Sequence, residues 1–175
     1  MFQATIDLID IEGTNTLRAI LEDFNVLVNR YPIGQPQHLV DVLSDPEDKA
    51  PILVINGHGC EQGFLLPSLT PDLEIKQPFN NVLTATQVRQ NFRLRSGLVI
   101  LSLACKTGSK EMAEAWLEVG AKAYIAPKEY PAASEALFFA TCFFRELLTQ
   151  GKSIHQALDC ATDNEGDTDM FKLYT

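Results

Sequence analysis

The segment that decides the fold is Leu98-Val-Ile-Leu-Ser-Leu-Ala-Cys-Lys-Thr-Gly108. It begins with an unbroken run of apolar residues that continues to Ala104, which is typical of a strand buried on both faces. The segment Pro51-Ile-Leu-Val-Ile55 is a second run of the same kind, and residues 121–126 form a weaker third one. Central strands that are apolar throughout predict a mostly parallel sheet with helices on both sides.

Helical periodicity separates these strands along the chain. Thr84 and Gln87 form a capping box, in which each side chain satisfies an amide at the beginning of a helix, and Ser153 and Gln156 form another. The longest predicted helix covers residues 134–150. The first predicted helix begins at Thr14 or Thr16, and the others begin near Pro36, Thr84, Ser109, Ser134 and Ser153.

Three shorter strands are predicted over residues 2–9, 25–33 and 170–174. Residues 60–83 interrupt the alternation of strands and helices, because they contain a glycine and three prolines, and they are predicted to form a hairpin and a loop. No repeat, linker or low-complexity segment is visible, so residues 1–175 are predicted to be one domain. The pattern predicts a three-layer α/β/α sandwich of about six mostly parallel strands, with the C-terminal strand at an edge of the sheet.

The composition excludes several classes of function. The chain has 14 basic and 23 acidic residues, and its formal net charge of -9 repels phosphate backbones, so nucleic-acid binding is not expected. No apolar run approaches the roughly 20 residues that cross a bilayer, and no basic patch precedes an apolar stretch at the N-terminus, so neither a membrane anchor nor a signal peptide is expected. Four cysteines in 175 residues are too few for a disulfide scaffold, which favours a cytoplasmic location.

Chemically distinctive residues follow two of the buried strands. The run that ends at Ile55 continues as Asn56-Gly57-His58-Gly59-Cys60, and the run that ends at Leu101 leads to Cys105. In an open α/β sheet, ligands bind beyond the carboxyl ends of the strands. If the two strands are neighbours, His58 and Cys105 therefore face the same crevice.

A thiol beside an imidazole is a nucleophile beside its base. The imidazole accepts the thiol proton, and the thiolate attacks a carbonyl carbon. The helix that follows Cys105 is expected to favour the thiolate through its dipole, and the backbone N–H groups of Gly59 and Cys105 are predicted to stabilise an oxyanion. For either His58 or Cys105 taken alone, the alternative interpretation is a structural histidine or a small core cysteine.

Several motifs, in this order, resemble those of the caspase-fold cysteine peptidases (clan CD), and most closely those of the bacterial CHAT-domain branch. His58 precedes Cys105 by about 50 residues, which is the spacing of the histidine and the nucleophile in caspases. The resemblance extends from Pro51 to Tyr174. It is carried by Gly57-His58-Gly59, Leu83-Thr84, residues 101–108, Gly120-Ala121-Lys122-Ala123, Gly151-Lys152-Ser153, Ala157-Leu158 and Phe171-Lys172-Leu173-Tyr174.

The resemblance implies a caspase-like fold and a cysteine endopeptidase with His58 as general base or acid and Cys105 as nucleophile. It also implies an oxyanion hole made by Gly59 and Cys105, a protein or peptide substrate, and neither a metal nor an organic cofactor. CHAT-domain proteases commonly act in bacterial defence or regulated proteolysis and are switched on by a partner. Because this chain has no sensor repeat, the regulator is expected to be a separate protein.

Two departures from the family pattern concern the substrate pocket. Leu103 stands two residues before the nucleophile, where caspases and their relatives carry a polar or acidic residue that lines the pocket. Tyr130-Pro131 is followed by Ala-Ala-Ser, whereas CHAT proteins often have Trp-Pro followed by acids. Leu103 and Tyr130 are therefore the predicted pocket residues, and an apolar or small substrate side chain is expected there.

Other classes of function stay open at this point. One is a caspase-fold binding or signalling module that no longer cleaves. Another is a small-molecule amidase or a flavodoxin-like binder, for which Gly13-Thr14-Asn15-Thr16 would offer phosphate contacts. No metal site is expected, because His155 and Cys160 lack a dependable ligand spacing and the acids of residues 163–169 lack the last ligand of a calcium loop.

The expected state in solution is a monomer that is inactive until a partner binds, with a weak homodimer as the alternative. The strand over residues 170–174 invites pairing at the sheet edge, whereas the acids that precede it oppose pairing. The phenylalanines of the helix over residues 134–150 surround more of that helix than one core-facing stripe needs. This surplus apolar surface is expected to be covered by the terminal segment, by another subunit or by a regulator.

Overall fold

A six-stranded sheet forms the centre of the molecule in the computed structural model, which describes residues 4–11, 15–45, 47–162 and 170–175. The order of the six strands is β2-β1-β3-β7-β8-β9, and every neighbouring pair is parallel except β8 and β9. The predicted mostly parallel sheet with a C-terminal edge strand is therefore confirmed. The strands of the described residues are β1 (Ala4–Asp10), β2 (Val26–Pro32), β3 (Ile52–Asn56), β4 (His58–Cys60), β5 (Gly63–Leu65), β6 (Val82–Leu83), β7 (Val99–Ser102), β8 (Ala123–Pro127) and β9 (Phe171–Tyr174).

Helices cover both faces of this sheet, which confirms the predicted three-layer sandwich. Side chains of α1, α6 and α7 belong to the hydrophobic core on one face, and side chains of α2, α4 and α5 belong to the core on the other. The helices of the described residues are α1 (Thr16–Asp23), α2 (Pro36–Leu43), α3 (Pro71–Glu74), α4 (Ala85–Asn91), α5 (Lys110–Glu118), α6 (Ala133–Phe144) and α7 (Ile154–Thr162).

The two faces of the sheet are both apolar because alternate side chains of each central strand enter opposite cores. In β3, Ile52 and Val54 lie in the core with α1, α6 and α7, whereas Leu53 and Ile55 lie in the core with α2, α4 and α5. All four side chains are buried. The continuous apolar run in the sequence is thus the result of burial on both faces.

A second, smaller sheet lies between β3 and α4 in the chain. Its order is β4-β5-β6, with antiparallel pairing throughout, and His58 opposes Leu65 in its first pair. The hairpin and loop predicted for residues 60–83 are confirmed in outline. The short α3 was not predicted, and His58, which was predicted to precede the hairpin, is the first residue of β4.

Two details of the helices follow from local sequence. The Thr84 hydroxyl accepts a hydrogen bond from the Gln87 amide at 3.4 Å, and the Gln87 side chain accepts one from the Thr84 amide at 3.1 Å, so this predicted capping box is confirmed. The helix predicted over residues 134–150 is α-helical only to Phe144 and continues as a π-helical turn over Arg145–Thr149. After that turn, the Lys152 amide donates to the Glu146 carbonyl at 3.1 Å.

The phenylalanines of α6 are divided between core and surface. Phe139, Phe143 and Phe144 are buried, and the ring of Phe171 in β9 stacks on Phe139 with 3.7 Å between the ring centroids. Phe138 is 51% exposed. The terminal strand and α7 therefore cover most of the apolar surface that the sequence had marked as surplus, while the acids of residues 163–169 lie outside the described residues.

In the part of the chain that the structure describes, no helix is long and apolar enough to span a bilayer.

Candidate active site

The strands that lead to His58 and Cys105 are neighbours in the sheet. β3 and β7 pair in parallel, with Ile55 opposite Ser102 at the carboxyl end. The pairing extends one residue further, because the Leu103 amide donates to the Ile55 carbonyl at 2.9 Å. Both segments therefore leave the sheet next to each other, at the carboxyl ends of the parallel strands.

A surface cavity of about 460 Å³ opens beyond these strand ends. It lies between the beginning of α1, which follows β1, and the beginning of α6, which follows β8. His58, Leu103 and Cys105 all contribute to its wall, so the structure brings these three predicted site residues together. The residues that line the cavity are Leu17, Asn56, Gly57, His58, Leu103, Cys105, Pro131, Ala133, Ser134, Ala136 and Leu137.

Hydrogen bonds from two buried hydroxyl groups stabilise the turn that carries Cys105. The Thr107 hydroxyl donates to the Ala104 carbonyl at 2.7 Å, and it lies 2.7 Å from the Ser102 hydroxyl. Because the Thr107 proton is used in the first bond, Ser102 donates in the second, and its oxygen then accepts from the Ala104 amide at 3.2 Å. The side chains of Ser102 and Thr107 thus supply hydrogen bonds to the backbone of Ala104, just beyond the end of β7.

The following residues of the turn are held by β8 and β9. The hydroxyl of Tyr124, a fully buried residue, donates to the Thr107 carbonyl at 2.9 Å. The Gly108 amide donates to the Pro127 carbonyl at 2.8 Å, and the Tyr174 hydroxyl donates to the Gly108 carbonyl. Both ends of the turn are therefore anchored in the sheet.

Gly59 packs directly against this turn. A Cβ atom at residue 59 would lie 2.2 Å from the Cys105 carbonyl oxygen and 2.9 Å from Cγ2 of Thr107. Because only glycine lacks that atom, the identity of residue 59 permits the contact between β4 and the nucleophile turn. Gly59 does not line the cavity with its own surface but lies next to two residues that do, His58 and Cys105.

The Cys105 thiol is partly buried and faces the loop between β8 and α6. Its Sγ atom lies 3.8 Å from the carbonyl oxygen of Pro131, to which the thiol donates. Burial raises the pKa of this thiol, and a backbone hydrogen bond at Cys105 opposes the shift only in part. The direction is opposite to the expectation that the following helix favours the thiolate, because α5 begins only at Lys110 and the desolvation of Cys105 is the larger effect.

Lys106, the residue after Cys105, contacts the same loop between β8 and α6. Its amide donates to the Glu129 carbonyl at 2.9 Å, and its Nζ atom forms an ion pair with Glu129 at 2.8 Å. The same Nζ lies 5.4 Å from the centre of the Tyr130 ring, which is 58% exposed. Tyr130, a predicted pocket residue, therefore packs on Lys106 at the rim, and the neighbouring Pro131 lines the cavity.

Several lining residues were not predicted from the sequence. Leu17 of α1 and Leu137 of α6 reach the cavity from helices that are distant in sequence from both strand ends. The only signal for them was their position near the beginning of helices that follow β1 and β8, at the strand ends where ligands bind. Within the described residues, no group of three or more His, Cys, Asp or Glu side chains is arranged to hold a metal ion.

The fold is similar to that of known cysteine peptidases. The Arg-specific cysteine proteinase gingipain R of Porphyromonas gingivalis superposes with a TM-score of 0.62 at 14% sequence identity, over 97% of this chain and 45% of that protein's chain. The separase–securin complex of Saccharomyces cerevisiae gives a TM-score of 0.59 at 10% identity, over 99% of this chain and 12% of the other. No family model and no curated protein sequence matches this chain.

These similarities define the class of fold to which the chain belongs. It has the caspase-like α/β/α fold that the sequence predicted, with a mostly parallel central sheet. The chain spans less than half of the gingipain chain and a small part of the separase chain. The finer assignment to the CHAT-domain branch stays a prediction.

Proposed function

We propose that this chain is a cysteine endopeptidase that hydrolyses peptide bonds through Cys105 and His58. The observation that carries the proposal is that these two residues, from the carboxyl ends of the adjacent strands β3 and β7, line one cavity. A nucleophile and a base that share a cleft are the minimum apparatus of acyl transfer. The similarity of the fold to gingipain R and separase supports the same reaction class.

The reaction has two halves. In the first, His58 accepts the Cys105 proton, the thiolate attacks the peptide carbonyl carbon, and the tetrahedral intermediate collapses to a thioester as the imidazolium protonates the departing amine. In the second, His58 accepts a proton from water, the resulting hydroxide attacks the thioester, and the acid is released with Cys105 reprotonated. One peptide bond and one water are consumed, and the protein is regenerated.

The oxyanion of each intermediate would be stabilised by the backbone N–H groups of Gly59 and Cys105. The close contact of Gly59 with the Cys105 turn supports this assignment, because it holds both backbone segments at one position. The anchoring of the turn by Thr107 and Ser102 supports it further, since fixed donors stabilise a developing charge better than mobile ones.

Burial raises the pKa of the Cys105 thiol and so favours its protonated form in the free protein. The thiol donates to the Pro131 carbonyl, so the transfer of its proton to His58 would require this hydrogen bond to break. A bound peptide can break that bond, so peptide reagents are expected to react with the free chain. We propose in addition that a separate regulatory protein increases the activity, as part of regulated proteolysis or of a bacterial defence system. The similar structures include separase in a complex with securin and gingipain with its pro-domain.

The same features also favour a second candidate, a caspase-fold binding or signalling module that does not cleave. A thiol that donates to a backbone carbonyl and has a raised pKa is a poor nucleophile. The two candidates differ in one measurable property, which is the dependence of Cys105 reactivity on His58.

The test is labelling of the full chain with a peptidyl acyloxymethyl ketone, followed by peptide mapping that quantifies each cysteine. We expect Cys105 to be modified faster than Cys142 and Cys160, and His58→Ala to abolish this preference. His155→Ala, which removes an exposed histidine from α7, is the matched control and should leave the labelling unchanged. Equal labelling of the three cysteines, unaffected by His58→Ala, contradicts the peptidase and favours the silent module.

A further inference from the structure

The wall of the active-site cavity is largely aliphatic. Leu17 reaches it from α1, Leu137 and Ala136 from α6, and Leu103 from the end of β7. Its volume of about 460 Å³ falls within the range of about 300–1,000 Å³ that is usual for small-ligand clefts. A cavity of this kind, next to a nucleophile, is suited to hold one side chain of a bound peptide.

Leu103 forms the part of the wall nearest to the nucleophile along the chain. It is only 7% exposed and belongs to the hydrophobic core beneath α1, α6 and α7. Its backbone is fixed by the hydrogen bond from its amide to Ile55. The surface that Leu103 offers is therefore apolar and rigid.

The acidic side chains near the cavity wall are engaged elsewhere. Glu135, in the first turn of α6, accepts a hydrogen bond from the Ala132 amide at 2.6 Å. Glu129, in the loop before α6, forms an ion pair with Lys106 at 2.8 Å. The carboxylates on either side of Pro131 thus have partners. A third acid near the cavity is Asp10, at the carboxyl end of β1, which lies opposite the lining residue Asn56. Asp10 is buried and forms an ion pair with Arg30 at 2.8 Å.

We infer that this cavity binds the side chain on the amino side of the scissile bond and selects an aliphatic residue such as leucine or methionine. The inference rests on the proposed function and adds its substrate class. Asn56, His58 and Ser134 contribute polar groups to the lining, but none of the lining residues is a carboxylate, so an arginine side chain there would leave its charge without an ionic partner. In this respect the chain differs from gingipain R, which is Arg-specific.

The experiment uses a series of peptidyl acyloxymethyl ketones that share one leaving group and differ only in the residue next to it. The second-order rate constant for modification of Cys105 is measured for leucine, alanine, arginine and glutamate at that position. We expect leucine to react at least about tenfold faster than alanine, because removing methylenes from a hydrophobic pocket costs about 10–200-fold each. We expect arginine and glutamate to react more slowly than alanine.

Variants of the wall test which residue sets the preference. Leu103→Asp should raise the rate with arginine above the rate with leucine, whereas the uncharged Leu103→Asn should lower the rate with leucine without that gain. Since a buried aspartate can prevent folding, the same exchange at the half-buried Leu137 provides a second pair, Leu137→Asp and Leu137→Asn, with circular dichroism to verify the fold.

The possible results distinguish a failure of the aliphatic pocket from a failure of the proposed peptidase activity. Faster labelling of Cys105 by the arginine reagent than by the leucine reagent, in the wild-type chain, overturns the aliphatic pocket and leaves the peptidase in place. Labelling of Cys105 by iodoacetamide but by none of the peptide reagents overturns the peptidase and, with it, the pocket. A leucine preference that Leu103→Asp and Leu137→Asp both leave unchanged also overturns the assignment of the pocket.

Discussion

The α-carbon of Gly59 faces the carbonyl oxygen of Cys105 so closely that a Cβ atom on residue 59 would lie 2.2 Å from that oxygen. This contact joins the β4–β5 hairpin, which begins with His58, to the turn that carries the thiol. The relative position of the two candidate catalytic residues therefore depends on a glycine that neither belongs to the proposed dyad nor lines the cavity.

Gly59→Ala is expected to separate the hairpin from the nucleophile turn. Real Cβ atoms do not approach a backbone oxygen to 2.2 Å. The atom that would be approached belongs to the backbone of Cys105 and not to a flexible side chain, so the backbone itself would have to move. A displacement of about 1 Å at a catalytic group costs about 100-fold in rate. The rate of Cys105 labelling by the leucine reagent measures the effect.

Gly34→Ala is the matched control for this substitution. A Cβ atom at residue 34 would meet only the His38 ring, at an ordinary distance of 3.9 Å, so this variant should keep the wild-type labelling rate. If Gly59→Ala labels Cys105 as fast as Gly34→Ala does, the contact between β4 and the turn has no role in positioning the site.

The hydroxyl of Thr107 is expected to be essential for the nucleophile turn. Thr107→Val keeps the shape of the side chain but removes the group that bonds Ala104 and accepts from Ser102. Leaving these buried groups unsatisfied costs about 1–3 kcal/mol of the free energy of unfolding. Urea denaturation measures this loss, and the labelling of Cys105 by the leucine reagent should fall with it.

Thr107→Ser distinguishes the hydrogen bonds from packing, because it retains the hydroxyl and removes only the methyl group. It should label Cys105 at close to the wild-type rate. A serine variant that labels as slowly as the valine variant would show that the methyl group, which lies beside Gly59, matters more than the hydroxyl.

The sequence was sufficient for the fold because its signals there are local. Burial on both faces of β3 and β7 requires apolar residues at every position before the last one of each strand, Asn56 and Ser102. The capping box of Thr84 and Gln87 is complete within four residues. His58 and Cys105 were also within reach, since each follows a buried strand. Their placement at one cavity required only that β3 and β7 be neighbours.

The environment of the site was not predictable in the same way, because it depends on contacts between distant segments. Tyr130 and Pro131 are adjacent in sequence, and no periodicity indicates which of them faces the cavity. In the structure Pro131 lines the cavity, whereas the ring of Tyr130 contacts Lys106. The pKa of Cys105 is raised mainly by burial of the thiol, which contacts the Pro131 loop, whereas the helix expected to lower it begins only at Lys110.

The reactivity of Cys105 in the free protein should therefore rise with pH over an alkaline range. Burial raises the pKa of this thiol, so the thiolate that reacts with iodoacetamide forms only above the usual value of about 8.5. The measurement is the alkylation rate of Cys105 between pH 6 and about pH 10 by peptide mapping. A rate that is already maximal near neutral pH would show that the site stabilises a resting thiolate.

Tyr124 should make the stability of the protein fall at alkaline pH. Its side chain is fully buried, and this burial raises the pKa of its phenol far above the value of about 10 that applies in the unfolded chain. A raised pKa in the folded state means that the stabilisation is complete below about pH 10 and is lost as the pH rises further, because the unfolded chain releases the proton first.

Tyr124→Phe tests this directly. At neutral pH the variant should lose about 0.5–1.5 kcal/mol of unfolding free energy, because the bond to the Thr107 carbonyl is removed. Above about pH 10 the wild-type chain should lose up to about 1.4 kcal/mol more per pH unit than the variant, so the difference between them narrows or reverses. Tyr174 is half-buried, and burial also raises the pKa of its hydroxyl. Tyr174→Phe should therefore show the same dependence of unfolding free energy on pH, with a smaller difference from the wild type. Urea denaturation from pH 7 to about pH 11 measures all three proteins, and parallel curves for the wild type and Tyr124→Phe would contradict a neutral, buried phenol beneath the nucleophile turn.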